Sequence, residues 1–147
     1  MRTYLVVLDD TAEAQTALRF AGRRALATNG QVQILAVAPK QDFVAFGGIQ
    51  ATIEEEARDR AEVKAMSAAG NLFSESGRMP KISVKMGPPE EVIAEYLAEH
   101  EEVTALVLGA AGAGNPGPLV THFAANASAL PCPLIIVPEG VSATAET

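Results

Sequence analysis

Hydrophobic and polar positions along the chain alternate between short apolar runs and longer stretches with helical periodicity. The apolar runs that predict strands are TYLVVLDD, QVQILAVAP, KISVKMG, TALVLG and PLIIVP. Between these runs, apolar positions three and four residues apart predict four helices. Short β-branched runs bounded by turn residues are typical of buried strands. The pattern is therefore strand and helix in regular alternation.

This alternation predicts an α/β fold with a five-stranded parallel sheet and helices on both faces, because right-handed crossovers place helices over each side. Ligands of such sheets bind at the carboxyl ends of the strands. With 147 residues, the chain is long enough for one domain with its own core. We predict a single domain over residues 1–140 and a flexible tail over residues 141–147.

The ends of the first and second helices are marked in the sequence. Thr11 is a typical N-cap residue, and Asn29-Gly30 is a typical helix end. The second and longest helix is TIEEEARDRAEVKAMSAAGNLFSES, predicted to begin at Thr52 after a loop over residues 40–50. The apolar positions of this helix are Ile53, Val63, Met66, Leu72 and Phe73.

Charge is distributed unevenly within an ordinary globular composition. The chain has 48% hydrophobic and 20% charged residues and a net charge of −7. All 11 Lys and Arg residues lie at or before Lys85, whereas residues 86–147 contain eight Glu and no basic residue. Binding to nucleic acid or to an anionic membrane surface needs a basic stripe, so we predict neither partner.

The location of the protein is predicted from its one cysteine and from its hydropathy. A single cysteine, Cys132, cannot form an internal disulfide, which is typical of a reducing compartment. No apolar run approaches the roughly 20 residues that span a bilayer. We therefore predict a cytoplasmic protein.

A glycine-rich stretch, GAAGAGNPGPLVTHF, follows the fourth strand at residues 109–123. It contains a GxGxxG match, but a dinucleotide-binding fingerprint belongs after the first strand and is followed by an acid about 20 residues on. The Walker pattern also fails, because no Lys follows the last glycine. These two nucleotide-binding motifs are therefore not predicted here.

The chain resembles the universal stress protein family over nearly its whole length. The resemblance is carried by LDDTAEAQTAL after the first strand, LVLGAAGAG after the fourth, and PCPLIIVP at the end. It implies a Rossmann-like sheet of order 3-2-1-4-5, related to the adenine nucleotide alpha hydrolases. It also implies a non-catalytic stress-response protein with ATP or AMP as ligand, and with magnesium expected only together with nucleotide.

The resemblance implies which residues form the nucleotide pocket. They are Asp9, Val37, Gly109, Gly112, Gly114, Thr121 and His122. The first two are expected at the adenosine end, and the others at the phosphate end. In family members that bind ATP, the phosphates rest on amides of the glycine loop and of the following helix start.

The chain departs from the family pattern on the phosphate side. Counting nine residues on from Gly112 aligns the family's Gly-Ser pair with His122-Phe123, whereas alignment backwards from Pro-Cys-Pro aligns it with Val120-Thr121, and both alignments stay open. The glycine expected before the hydroxyl residue is missing in either case, and a β-carbon at Val120 is expected to crowd a phosphate. The alternative interpretation is that the loop only turns the chain.

Further departures concern charge and donors. Pro116 and Pro118 remove two N–H groups from the loop. No base lies near it in sequence, so triphosphate binding would depend on a metal or on Lys and Arg from the first half. Asp10 replaces a family glycine and adds negative charge. The aromatic residues Phe43 and Phe46 are expected to cover the crevice, dock a partner, or pack over the end of the sheet.

No catalytic or metal site is predicted. His100 and His122 have no partner at metal-ligand spacing, and no Ser-His-Asp or Cys-His arrangement can be placed. Cys132 is expected to be a small buried hydrophobe. A nucleotide-cleaving enzyme is therefore disfavoured.

The last strand predicts a homodimer. In the implied strand order it lies at the edge of the sheet, and PLIIVP carries no charge. Pairing of residues 133–138 with their twin would satisfy the open backbone groups of that edge. A nucleotide-independent homodimer that engages another protein is the alternative function, and coverage of the edge by the tail or a loop is the alternative structure.

Overall fold

The fold is an alternation of parallel strands and helices. A computed structural model describes residues 1–9, 11–38, 49–112 and 114–140, with only the backbone of residues 49–52. The strands are β1 Thr3–Leu8, β2 Gln31–Ala38, β3 Lys81–Met86, β4 Ala105–Gly109 and β5 Leu134–Val137. The helices are α1 Ala12–Thr28, α2 Ile49–Ser76, α3 Pro89–Glu99 and α4 Pro118–Ala125, followed by a 3-10 turn, Ala127–Ala129.

The strands form one sheet in the order β3-β2-β1-β4-β5, and every neighbouring pair is parallel. The predicted fold class and strand order are confirmed. All five strands therefore end on one rim, here called the C-terminal rim, and begin on the other, here called the N-terminal rim. Crossover connections put β1 at the centre and reverse the winding direction between β1 and β4, which creates a crevice at the C-terminal rim.

Side chains alternate between the two faces of the sheet and form two core layers. In β1, Val6 and Leu8 pack with α1 and α2, whereas Leu5 and Val7 pack with α3 and α4. This period of two is the normal geometry of a strand that is covered on both faces. Leu5 and Val6 are fully buried, so the centre of the sheet is shielded from water on both sides.

The predicted ends of α1 are confirmed. Thr11 is the N-cap, and its Oγ1 accepts a hydrogen bond of 3.3 Å from the Ala14 amide. Asn29 closes the helix with φ of 55°, and its amide donates to carbonyls of the last turn. A left-handed residue after the last turn is a standard helix end, and Asn tolerates that conformation better than most residues.

The apolar positions of α2 were misjudged from the sequence. Val63, Met66 and Phe73 are 67%, 52% and 50% exposed, while Leu72 is buried and Ile53 is half-buried. The buried positions of the helix are Ala65, Ala68, Ala69 and Leu72. Their spacing is that of one helical face, and alanine lets the helix lie close to the sheet. A prediction of the buried positions from hydrophobicity alone selects the larger side chains.

Two helix boundaries also differ from the prediction. Helix α2 begins at Ile49, three residues before Thr52, so the last two residues of the predicted loop are helical. Helix α4, which the sequence predicts over VTHFAANASAL from Val120, begins instead at Pro118 and ends at Ala125. Proline is favoured at the first helical position because its fixed φ suits the helix and its missing N–H is not needed there.

Candidate functional site

A small cleft lies at the C-terminal rim, between the ends of β1 and β4 and the first turns of α1 and α4. Its cavity has a volume of about 60 Å³, and Asp9 and Gly109 are among its lining residues. The structure therefore brings together two residues that are 100 positions apart in sequence. This is the crevice where the winding direction of the sheet reverses.

Asp9 is half-buried and is held by Thr11. Its Oδ1 accepts a hydrogen bond of 3.0 Å from the Thr11 amide and another from the Thr11 hydroxyl. Thr11 thus caps α1 and orients the carboxylate at the same time. Within the described residues no donor is recorded for Oδ2 of Asp9, so this oxygen can accept a hydrogen bond from a ligand hydroxyl.

Gly109 is required by packing. A β-carbon at this position would lie 2.7 Å from the carbonyl carbon of Glu13 and closer still to its oxygen. Because those are backbone atoms of α1, no side-chain adjustment could relieve the clash. The end of β4 therefore touches the first turn of α1 directly, and this contact sets the depth of the cleft.

The amides of the loop after β4 divide into engaged and open groups. Ala110 N donates to Val137 O at 2.8 Å, and Ala111 N donates to Pro116 O at 2.9 Å. Asn115 N donates to Gly112 O at 3.3 Å. In contrast, the described residues offer no recorded acceptor to the amides of Gly112 and Gly114. These two open amides lie in the most exposed part of the loop.

The two glycines with open amides have space around them. A β-carbon at Gly112 or Gly114 would meet no atom of the described residues within 4 Å, and Gly114 has a φ of +79°. Packing therefore does not explain the glycine at position 112. A glycine that internal contacts do not require is consistent with close approach of a ligand to the backbone.

The start of α4 is also open. Gly117 is its N-cap and provides no side-chain cap, and Pro118 occupies the first position. Thr121 N donates to Gly117 O at 3.1 Å, but no acceptor among the described residues is recorded for the amides of Leu119 and Val120. An uncapped helix start attracts negative charge, because its unpaired N–H groups carry the positive end of the dipole.

Val120 lies at this helix start and lines the cleft. Its side chain is 5% exposed and packs in the core with residues of α3 and α4. The expected crowding of a phosphate by its β-carbon stays a prediction. The amide of the same residue remains open at the helix start.

Five of the seven predicted residues do not line the cleft: Val37, Gly112, Gly114, Thr121 and His122. Thr121 and His122 are exposed on α4, and the His122 ring packs edge-on against Phe123 at 4.9 Å. The Val37 side chain is 5% exposed in the core under α3. The carbonyl of the next residue, Ala38, accepts from Gly87 N at 3.2 Å.

Two charged residues at this rim were missed from the sequence. Glu13, in the first turn of α1, lines the cleft, where its charge opposes that of an incoming phosphate. Lys64, on α2, shares a neighbouring cavity of about 170 Å³ with Asp9. Its position identifies a base from the first half of the chain beside the site. No sequence signal marks Lys64, because 55 residues and a crossover separate it from Asp9.

Several predicted residues lie outside the described part of the chain. Asp10 is one of them, and Phe43 and Phe46 are two more. The predicted tail, 141–147, also lies outside it. Their expected roles stay predictions.

The remaining reactive side chains are placed without a catalytic arrangement among the described residues. The His100 ring stacks on Tyr96 at 3.7 Å, and its Nδ1 lies 2.8 Å from the Tyr96 carbonyl oxygen. Burial raises the pKa of the Cys132 thiol, which keeps it protonated and weakly nucleophilic. No group of three or more His, Cys, Asp or Glu side chains in the described ranges could hold a metal ion.

No helix in the described part of the chain is long and apolar enough to cross a membrane. This finding agrees with the composition of α2, the longest helix, whose surface carries many charged side chains.

Comparison with known proteins gives fold and family. UspA, a universal stress protein from Lactobacillus plantarum, superposes with a TM-score of 0.78 at 20% identity, covering 92% of this chain and 97% of that one. A universal stress protein family protein from Arabidopsis thaliana with AMP bound gives a TM-score of 0.62 at 14% identity, covering 96% and 94%. A universal stress protein in complex with cAMP gives 0.60 at 17% identity, covering 92% and 96%.

A search of curated proteins returned no significant match. The family model of the universal stress protein family matches residues 1–138, which is nearly the whole domain. Its extent includes every strand of the sheet and the loop with the open amides. On this match, the chain belongs to the universal stress protein family.

Proposed function

We propose that this protein is a non-catalytic, cytoplasmic stress protein that binds an adenine nucleotide, ATP or AMP, at the C-terminal rim. The observation that carries the proposal is the set of open amides on the β4–α4 loop and at the start of α4. Leu119 and Val120, at the start of α4, line the same cleft as Asp9, and the loop with Gly112 and Gly114 continues from Gly109 at the edge of that cleft. The cleft lies at the switch point of the sheet, where nucleotides bind in folds of this class.

The adenosine end is assigned to β1 and β2. Asp9 Oδ2 accepts a ribose hydroxyl, because Oδ1 is already engaged by Thr11. The end of β2, at Val37, supplies backbone and apolar surface for the base. A carboxylate fixed in one orientation loses little entropy when it binds a hydroxyl, which favours its use in recognition.

The phosphate end is assigned to the loop. Gly112 and Gly114 provide amides that can donate to a phosphate. The contact between Gly109 and α1 sets the depth of the cleft. Thr121 and His122 lie on the exposed side of α4, in the same segment of the chain. They can contact a terminal phosphate only if the ligand extends out of the cleft. AMP, with one phosphate, needs fewer of these groups than ATP.

The charge of the cleft is expected to affect its affinity for AMP and its affinity for ATP differently. Asp9 and Glu13 both line the cleft, so added phosphates meet repulsion unless a cation is present. Lys64, beside Asp9, is the candidate protein cation, and magnesium bound to the nucleotide is the other. We expect magnesium to strengthen binding of ATP and to leave binding of AMP unchanged.

Related structures support this assignment. One relative has AMP bound and another is a complex with cAMP. These relatives are 14% and 17% identical to this chain, so they support a shared fold. Their ligands indicate which nucleotides to test. Binding by this chain is inferred from its own backbone amides.

The test is isothermal titration calorimetry of the whole chain with AMP and with ATP, each with and without magnesium. Gly112→Val is expected to weaken binding about tenfold or more, because the β-carbon separates the ligand from the backbone. The fold should tolerate this change, since nothing lies within 4 Å of the added β-carbon.

Gly70→Val is the matched control. Gly70 lies on α2, away from the β4–α4 loop, and no atom of the described residues lies within 4 Å of an added β-carbon. Absence of heat with every nucleotide, or equal affinity of Gly112→Val and wild type, would contradict the proposal. Turnover of bound nucleotide above buffer rates would contradict its non-catalytic part.

The second candidate function is a nucleotide-independent homodimer that pairs through residues 133–138 and engages another protein. Within the described residues β5 pairs only with β4, and Ile136 is 40% exposed on this edge. An edge strand of this kind offers open backbone groups to a second copy. A stable dimer that binds no nucleotide favours this function.

Light scattering coupled to size exclusion tests the dimer. Ile136→Lys is expected to shift the molar mass toward that of a monomer, since a charge on each copy would meet its twin at the symmetry axis. Val63→Lys, at an apolar position of α2 that is 67% exposed, is the control. A wild-type chain that is monomeric at high concentration would refute this mode of assembly.

A further inference from the structure

A second cavity lies at the N-terminal rim, on the opposite side of the molecule from the nucleotide cleft. We call it the basal cavity. Its volume is about 340 Å³, compared with about 60 Å³ for the cleft, and it falls in the size range of small-molecule sites. It is enclosed by the last turns of α1 and α2 and by the starts of β2 and β3. None of the proposed nucleotide residues lines it.

The basal cavity opens where two closely packed helices end. A β-carbon at Gly22 would lie 2.7 Å from Cδ2 of Leu72, so α1 and α2 are in tight contact at that level. Beyond this contact Leu26 and Met79 line the cavity and are 57% and 55% exposed. Their apolar surface stands in water and would gain free energy if a ligand covered it.

Arg78 is the fixed polar group of this cavity. Its Nη1 donates to Gly30 O at 2.6 Å, and its Nη2 donates to the Asn29 side-chain oxygen. These bonds tie the connection before β3 to the connection before β2. They use two of the five N–H donors of a guanidinium group. The side chain is therefore oriented before any ligand arrives, which lowers the entropy cost of binding.

The charge of the lining selects the class of ligand. Among the described lining residues Arg23 and Arg78 are basic and Glu75 is acidic, and the Arg78 guanidinium is held in place by Gly30 and Asn29. Helices α1 and α2 both end here, at Thr28 and Ser76, and helix C-termini repel anions in proportion to their charge. A multiply charged phosphate is therefore disfavoured more strongly than a single carboxylate that binds to Arg78.

We propose that the basal cavity binds a medium-chain carboxylate, with its alkyl chain against Leu26, Leu72 and Met79 and its carboxylate on Arg78. The apolar walls match the chain, and the one oriented guanidinium matches the head group in number and sign. This site is separate from the nucleotide cleft and does not depend on it.

The test follows methyl groups by NMR while decanoate is added to the whole chain below its micelle concentration. The Met79 methyl should shift in a saturable manner. The Met66 methyl is the internal control, because it is similarly exposed and lies outside the cavity lining. Equal, unsaturable shifts at both methyls, or no shift at Met79, would overturn the proposal.

Variants distinguish the contribution of the carboxylate head group to binding from that of the alkyl chain. Arg78→Gln should weaken decanoate by at least roughly tenfold, as expected for loss of a charge-assisted hydrogen bond, and should leave the uncharged decanol unchanged. Arg24→Gln, on the exposed side of α1 and outside the lining, is the matched control. An equal effect of both variants would show general electrostatic attraction and would overturn the assignment to Arg78.

A second variant, in the apolar lining of the basal cavity, provides the test if Arg78→Gln fails to fold. Leu26→Gln changes a side chain that is 57% exposed, so the fold should be retained. It should weaken decanoate and decanol alike, by several-fold. Unchanged affinity for both probes would contradict the proposed position of the alkyl chain.

Discussion

The two rims of the sheet offer opposite environments to a ligand. At the C-terminal rim the loop after β4 and the start of α4 present open amides around a shallow cleft. At the N-terminal rim α1 and α2 end over a larger cavity with apolar walls and one oriented guanidinium, that of Arg78. The difference follows from the parallel sheet, because every crossover helix starts near one rim and ends near the other.

The size of a cavity and its capacity to bind anions are therefore separate properties. The cleft is small because β4 touches the backbone of α1 at Gly109, yet it has the donors for phosphate. The basal cavity is larger and has the Gly22–Leu72 contact in its lining, and the C-terminal carbonyl groups of α1 and α2 disfavour phosphate there. Substitutions at these contacts should therefore change the two rims independently.

The largest expected effect is at the N-terminal rim. Leu72→Ala should lower the free energy of unfolding by about 3 kcal/mol, because it removes a buried side chain and enlarges a cavity that already exists. Urea denaturation measures this change. The neighbouring variant Phe73→Ala, at a side chain that is 50% exposed, should cost much less. Equal losses would mean that α2 is packed by the face predicted from hydrophobicity.

A somewhat smaller effect is expected at the C-terminal rim. Gly109→Ala should lower the free energy of unfolding by about 2 kcal/mol, since the new β-carbon meets backbone atoms of Glu13. Gly112→Ala, with nothing within 4 Å, should change it by less than about 0.5 kcal/mol. Chemical denaturation of both variants tests the distinction between a packing glycine and an open one. Similar values for the two would remove that distinction.

Thr11→Ala should have the next largest effect, about 1 kcal/mol, through loss of the N-cap of α1. It also removes the hydroxyl bond to Asp9. Thr11→Ser keeps both bonds and should restore the stability, as measured by thermal unfolding. If the serine variant is as unstable as the alanine variant, the methyl group and not the hydroxyl stabilises this corner.

The smallest effect is a pH dependence near the start of β4. The side-chain hydrogen bond from Gln33 lowers the pKa of Glu102, with a donor–acceptor distance of 3.1 Å. A carboxyl with a lowered pKa in the folded state stabilises the protein above its unfolded pKa. This contribution is lost as pH falls through the folded pKa.

The check is to compare unfolding free energies of wild type and Glu102→Gln at neutral pH and at pH 3. The advantage of the wild type over the variant should shrink on acidification. Glu101→Gln, at the adjacent exposed residue, serves as control. An advantage that grows at low pH would reverse the assigned sign.

Local signals explain which parts of the fold could be predicted from sequence. The buried run of β1, the Thr11 cap and the Asn29 end all depend on neighbouring residues, and all were placed correctly. The packing of α2 could not be predicted in the same way. Its buried face consists mainly of alanines, whose hydrophobicity is low, and only contact with the sheet distinguishes them from the larger exposed side chains.

The site shows the same limit. The loop after β4 was recognised by its glycines, but only coordinates separate Gly109, which packs on Glu13, from Gly112, whose amide is open. Lys64 beside Asp9 and Arg78 across the α1–β2 connection are long-range neighbours. No local spacing in the sequence indicates either pair.

The segregation of charge has a consequence for assembly. The half of the chain after residue 85 has eight Glu and no base, and β5 belongs to that half. Because each copy has a net charge of −7, two copies that pair through β5 repel each other over a long range. Added salt screens this repulsion, so we expect self-association to tighten as ionic strength rises, the reverse of assemblies joined by ion pairs.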